Sequence, residues 1–178
     1  METSKVLRYT DEKDKSFGLA GMAIGLMAWD AEDWLEGIDL DAVADGAMLM
    51  TSDYYLCTAP KVGAKAVWDQ SFKRFQVSAA MAVSNVVCRE AVQHGRRTLP
   101  GTVDSALRKV LSTEGEELCG LEKDEVSQIY TKSLAYCNRL FGHSGVCQLA
   151  EQLSTLLQEN RTLEASRIWQ VLAPLSRM

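Results

Sequence analysis

The chain has 178 residues and only two histidines, which confines imidazole acid–base chemistry to His94 and His143. Arg89 lies five residues before His94, and Glu90 four before it, on a stretch that reads as one helix. An arginine can stabilise phosphate charge, and a histidine can move a proton near neutral pH. The same residues also have a purely structural use. His94 directly precedes Gly95, so it can place a partial cation at a helix C-terminus and pair with Glu90 at i,i+4, with Arg96 and Arg97 adding positive charge.

The Arg89 to His94 spacing resembles the Arg-x4-6-His motif of the HEPN ribonucleases, all-helical nucleases that commonly cleave RNA as dimers. The resemblance implies catalytic roles for two residues: Arg89 on phosphate and His94 in proton transfer. Glu90 departs from the pattern, since the family often has a smaller polar residue after the arginine.

Cys137, His143 and Cys147 form a second constellation, C-x5-H-x3-C, across a turn at Gly142. Structural zinc wants four ligands at tighter spacing, and the fourth would have to be as distant as Cys119, so no metal is expected. Asp30, Asp33 and Glu36 share a helix face at intervals of three, yet the Glu-x-x-His pairs of a di-iron bundle are missing. Phosphate loops, dinucleotide-binding glycines, nucleophile elbows and His-Glu-x-x-His helices are also missing, and no cofactor is expected.

Charge is segregated along the chain. Residues 16–60 carry eight acids and no lysine or arginine, whereas residues 61–112 carry nine bases and three acids. Two arrangements suit this pattern. Acidic and basic helices can lie side by side, each exposed pair contributing at most about 1 kcal/mol. Alternatively Lys61, Lys65, Lys73, Arg74, Arg96 and Arg97 form an anion- or nucleic-acid-binding surface. The net charge of −5 argues against a general nucleic-acid coat, and helix-turn-helix, RNA-recognition and zinc-finger patterns do not occur.

The elements that must position these residues are helical. Three prolines, Pro60, Pro100 and Pro174, fall where apolar periodicity lapses. The pattern predicts helices near 16–36, 40–57, 61–94, 102–119, 122–141, 144–159 and 161–173, with a break in the third around Asp69 to Ser71. Gly95 and Gly142 suit left-handed C′ positions, and Ser144 and Thr162 suit N-caps. Short turns between the last four helices favour antiparallel neighbours. Residues 1–15, METSKVLRYTDEKDK, read as a flexible arm ahead of a single helical domain over 16–178.

Two segments, 17–29 and 75–88, contain no charge and are expected at the centre of an all-α bundle of about seven helices. Gly21 and Gly25 in the first, and Ala80 with Ser84 and Ser78 with Ala82 in the second, repeat small residues four apart. That spacing permits close backbone approach, within one subunit or across a homodimer seam. The apolar run Phe17–Trp29 spans about 20 Å as a helix against roughly 30 Å of bilayer hydrocarbon, so it cannot cross a membrane. Five scattered cysteines do not suggest a disulfide framework, and a reducing cytoplasm fits best. Trp29, Trp34, Trp68 and Trp169 read as core anchors, with Trp34, among acids, the one most suited to a partner surface. The missing catalytic signatures and the small-residue helices together favour a noncatalytic, self-associating helical interaction or scaffold module, with a second copy or another protein as its partner.

Overall fold

The computed structural model describes residues 7–43, 46–56 and 64–177. Among them are seven α-helices and one small three-stranded sheet: α1 (Glu12–Ala28), β1 (Leu35–Asp39), β2 (Met48–Met50), α2 (Ser52–Leu56), α3 (Ala64–Cys88), α4 (Gly101–Thr113), α5 (Lys123–Leu140), α6 (Ser144–Asn160), β3 (Thr162–Glu164) and α7 (Ala165–Leu172). The predominantly helical bundle matches the sequence expectation. No helix among the described residues is long and apolar enough to cross a membrane.

The two uncharged segments do form the hub. α1 runs antiparallel to α3 and to α6, and α5 packs against α3, where Ser84 meets both α1 and Cys137 of α5. Leu19, Ala20, Ala23, Ile24 and Leu26 of α1, with Ala79, Ala80 and Val83 of α3, are fully buried. The small residues set the spacing between the two helices. A Cβ on Gly21 would lie 2.5 Å from the Ser84 carbonyl oxygen, and one on Gly25 would lie 2.6 Å from Ser84 Oγ. Gly18 extends the stripe against Tyr9 and Asn85. Ala80 and Ser84 therefore face α1, while Ser78 points elsewhere and donates to Glu114 Oε1 at 2.5 Å.

Helix ends follow local chemistry. Asp11 caps α1 by accepting from the Asp14 amide at 2.7 Å. α3 and α4 both finish in a five-residue π turn, Arg89–Gln93 and Glu114–Leu118, each closed by a glycine at φ near +65°, Gly95 and Gly120. The left-handed residue after α3 is the glycine expected there. Gly142 does not take that conformation; Gly120 does, in a place the periodicity left unmarked. His143, rather than Ser144, is the N-cap of α6, and Thr162 lies in β3, with Glu164 preceding α7.

Three larger expectations are corrected. Among the described residues of the helix predicted over 40–57 stand instead β2 and the single turn of α2, and the helix predicted over 16–36 ends at Ala28. The acids explain both: Asp39 Oδ1 accepts from the Asp41 amide at 2.9 Å, a side chain competing with helical hydrogen bonding, and Asp30 turns the chain at φ 50°. β1 becomes the centre of the antiparallel sheet β2-β1-β3. α3 continues unbroken through Asp69 to Ser71. Finally, of the stretch 1–15 read as an arm, residues 1–6 lie outside the described residues; Arg89 donates to the Leu7 and Arg8 carbonyls, and α1 already begins at Glu12.

Short connections also prove a poor guide to partners. α5 and α6 are joined by three residues, yet α5 packs chiefly on α3 and α6 chiefly on α1. The reason is apolar: the hub helices offer the buried surface, and each terminal helix covers one of them.

Candidate interaction groove

Arg89 is 8 % exposed and Asp14 fully buried. The Arg89 Nε and Nη2 donate to the two Asp14 oxygens at 2.6 Å each, and the guanidinium also donates to the Leu7 and Arg8 carbonyls at 3.1 and 3.0 Å. The Tyr9 ring covers it, with the guanidinium carbon 5.0 Å from the ring centroid. Four of its five N–H groups are thereby used inside the fold. Burial alone would raise the Asp14 pKa, but the hydrogen bonds from Arg89 and from the Thr10 amide outweigh it and hold the carboxyl below its ordinary value.

This arrangement separates the pair on which the nuclease resemblance rests. Arg89 points into the fold, whereas His94 is exposed beyond the π turn and donates its amide to the Arg89 carbonyl at 3.1 Å. Glu90 does not use His94 as its ion partner; Arg96 takes it at 2.8 Å. The π turn explains this, because its wider i→i+5 bonding moves His94 off the i,i+4 face.

The basic segment does not converge on one point. Lys73 lies over Trp34 at 5.4 Å and Arg74 over Tyr54 at 5.5 Å, so the acidic and basic segments meet through cations on aromatic rings. Among the described residues no ion pair joins those two segments. The acidic loop is met by other bases. Lys15 Nζ donates to the Leu40 and Ala42 carbonyls at 2.6 and 2.5 Å, and Arg161 pairs with both Asp41 and Glu12. Arg97 is exposed; Lys61 and the side chain of Lys65 lie outside the described residues.

The cysteine and histidine constellation is dispersed as well. Cys137 is buried against α3, 3.2 Å from Ser84 Oγ, and burial pushes its thiol up to about 11. Cys147 donates to the Phe141 carbonyl at 3.1 Å, and His143 is exposed at the turn. Cys119 is half-buried beside Glu114, and burial raises its pKa too. Raised pKa values leave these thiols poor nucleophiles. Among the described residues no three His, Cys, Asp or Glu side chains are placed to share a metal ion.

The molecule opens at the other end of α1. At the level of the small residues the hub helices close up; at the level of Trp29, Trp68 and Phe72 a groove of about 630 Å³ lies between α3 and α5. Its aromatic walls are ordered by mutual contacts. Trp68 stacks on Phe72 with ring centroids 4.9 Å apart, and Trp29 meets Tyr136 edge-on at 4.8 Å. Trp68 is 43 % exposed and Tyr136 38 %. Lys132 and Arg139, on α5 one turn either side of Tyr136, stand on the rim.

A second groove of about 550 Å³ adjoins the first, sharing Ala28, Tyr136 and Arg139 with it. Its walls come from the ends of α1 and α5, the start of α6 and the C-terminal 3-10 turn Ala173–Arg177. Met27, Leu140, Val146 and Leu175 supply apolar surface, while Asp30, Glu32 and His143 bring polar groups.

Sequence reasoning missed this site. It read all four tryptophans as core anchors, with Trp34 the one most suited to a partner surface, but Trp34 is half-buried between Tyr54 and Lys73 against the core, and Trp68 is the one facing solvent. The available signal was the Trp68-x3-Phe72 pair on a helix with Asp69 and Lys73 as neighbours, an aromatic edge at the margin of a charged face. Comparison with models of known families, with curated proteins and with solved structures found no match to the chain.

Proposed function

We propose that this chain is a noncatalytic helical interaction module that binds a protein segment through the aromatic groove between α3 and α5. One observation carries the reading: two large aromatic side chains, Trp68 and Tyr136, stand more than a third exposed in one groove whose floor is Trp29 and Phe72. Exposed aromatics gathered in a concave site, with polar groups at the rim, have the anatomy of a binding hot spot. Further support comes from Arg89, four of whose five N–H groups are occupied inside the fold.

The reading favours a different partner over a second copy. Of the small residues that suggested a homodimer seam, Gly21, Gly25, Ala80 and Ser84 are used up between α1 and α3 of the same subunit.

Selection of binding segments from a random peptide library, repeated on the Trp68→Ala/Tyr136→Ala variant, tests the proposal. We expect a family of peptides that binds the parent protein and loses at least about tenfold in affinity on the variant, equivalent to 1.4 kcal/mol. Selected peptides that bind both proteins equally, or no selected peptides at all, would overturn it.

A further inference from the structure

The rim of the aromatic groove carries positive charge that the fold leaves uncompensated. Lys132 and Arg139 stand seven residues apart on α5, two turns or about 10 Å along its axis, with Tyr136 between them. Both are exposed, and among the described residues neither joins an ion pair. Glu125 is the one acid on the groove wall, and its Oε2 accepts from the Glu122 amide at 2.9 Å as part of the cap of α5. Asp30 and Glu32 border the adjoining groove beyond Arg139, and neither pairs with it. In a chain of net charge −5 this positive rim is a local feature, set beside exposed aromatic rings. The shape of the groove adds a second constraint. Trp68, Phe72 and Gln76 repeat four apart on α3, and Gln128, Lys132, Ala135, Tyr136 and Arg139 form one exposed stripe of α5. Helical walls have their backbone groups bonded internally, so an extended segment finds no strand edge here, whereas a helix brings its own hydrogen bonds.

We infer that the segment bound in the aromatic groove is an acidic amphipathic helix, with an apolar anchor seated against Trp68 and Phe72 and carboxylates two turns apart on Lys132 and Arg139. The inference rests on the proposed binding role and names the chemistry of its partner. Complementarity of charge commits the groove to an acidic occupant, and the helical walls commit it to a helix. Single-stranded nucleic acid also answers the charge, but base stacking needs free ring faces. Phe72 covers one face of Trp68, and Arg139 lies over the Tyr136 ring, 5.7 Å from its centroid.

The test selects binders to the full chain from a library of random peptides about four helical turns long. Selection should enrich an aromatic or leucine anchor flanked by two acids seven residues apart. Against Lys132→Glu/Arg139→Glu, where two attractions become two repulsions, the selected peptides should bind about tenfold weaker, and against Lys132→Gln/Arg139→Gln about threefold weaker. The neutral pair serves where charge reversal disturbs α5. A proline at the centre of a selected peptide should abolish its binding. Peptides that depend on Trp68 and Tyr136 yet carry no excess of acids, tolerate the central proline, or bind both charge variants as tightly as the parent would overturn the acidic helix and leave the groove reading standing. Finding no peptide that depends on Trp68 and Tyr136 would overturn both. Binding of a single-stranded oligothymidylate that is lost in Trp68→Ala/Tyr136→Ala would assign the rim to phosphates and overturn the inference. So would a dimer in sedimentation that the same variant dissociates, since the groove would then hold a second copy.

Discussion

The two ends of α1 are built on opposite plans. At its N-terminal end Asp14, Arg89, Tyr9 and Asn85 interlock. The carboxylate and guanidinium satisfy each other, and Asn85 Nδ2 donates to the Tyr9 hydroxyl at 2.7 Å. At its C-terminal end aromatic rings stay partly exposed, and Glu32 keeps a buried oxygen without a donor. A closed polar network adds rigidity and fixes the register of the chain around it, whereas an open one leaves interaction energy for something else to collect. One helix thus joins a structural lock to a surface with unfinished chemistry.

The largest effect should come from breaking the lock. Arg89→Ala leaves the Asp14 charge buried and unpaired, and we expect it to lower unfolding free energy in urea by about 3–5 kcal/mol. The Asp14→Leu/Arg89→Met double variant should recover much of that loss, because it removes both charges together. A double variant as unstable as Arg89→Ala would show that shape, not charge, matters here. The pH dependence has a definite sign. Asp14 titrates lower when folded, so its contribution is fully present above the unfolded carboxylate value of about 3.9 and fades as pH falls through the folded value. Acid unfolding of the parent should contain this component, and that of the double variant should lack it.

The next effect lies along the seam that joins the two ends. Gly21→Ala drives a methyl group into the Ser84 backbone carbonyl and should cost about 1–3 kcal/mol, read by the same denaturation. Gly25→Ala meets the Ser84 hydroxyl instead, which can rotate, so its cost should be smaller. Equal costs would mean that the helices separate as rigid bodies.

A smaller change is expected at the π-turn glycines. A Cβ on Gly95 or Gly120 would touch nothing within 4 Å, so only the left-handed backbone resists substitution. Gly95→Ala and Gly120→Ala should each cost about 1 kcal/mol, and the asparagine variants less. The smallest stability effect should be that of Trp68→Ala, within about 0.5 kcal/mol by thermal unfolding, even though this residue is expected to matter most for binding. A large destabilisation there would move Trp68 from the binding surface to the core and erase the contrast between the two ends.

The hub was legible in the sequence because its signal is local and composition-driven. Thirteen residues from Phe17 to Trp29 without a charge can only be covered on all sides, and glycines four apart can only mean close approach. The sheet was not legible. β1 runs Leu35–Asp39 and pairs with β3 more than 120 residues away, and neither three-residue edge strand is long enough to show alternation. Asp30, Asp33 and Glu36 read as a helical face, yet Asp30 turns the chain at positive φ and Glu36 lies in β1. The spacing reads Arg89 as a phosphate-facing partner of His94, whereas its guanidinium is taken by Asp14, seventy-five residues earlier, a pairing that no local spacing announces.

What the sequence by itself determined was a helical bundle and the identity of its two central helices, because apolar periodicity and small-residue spacing are properties of a segment and its own turns. What only the tertiary structure decided was the meaning of every charged and aromatic residue. Arg89 is a lock because Asp14 is folded against it, and Trp68 is exposed because α5 stands away from α3 at that level. A side chain's electrostatic partner and its access to water are set by which segments meet, and neither is a property of its neighbours along the chain.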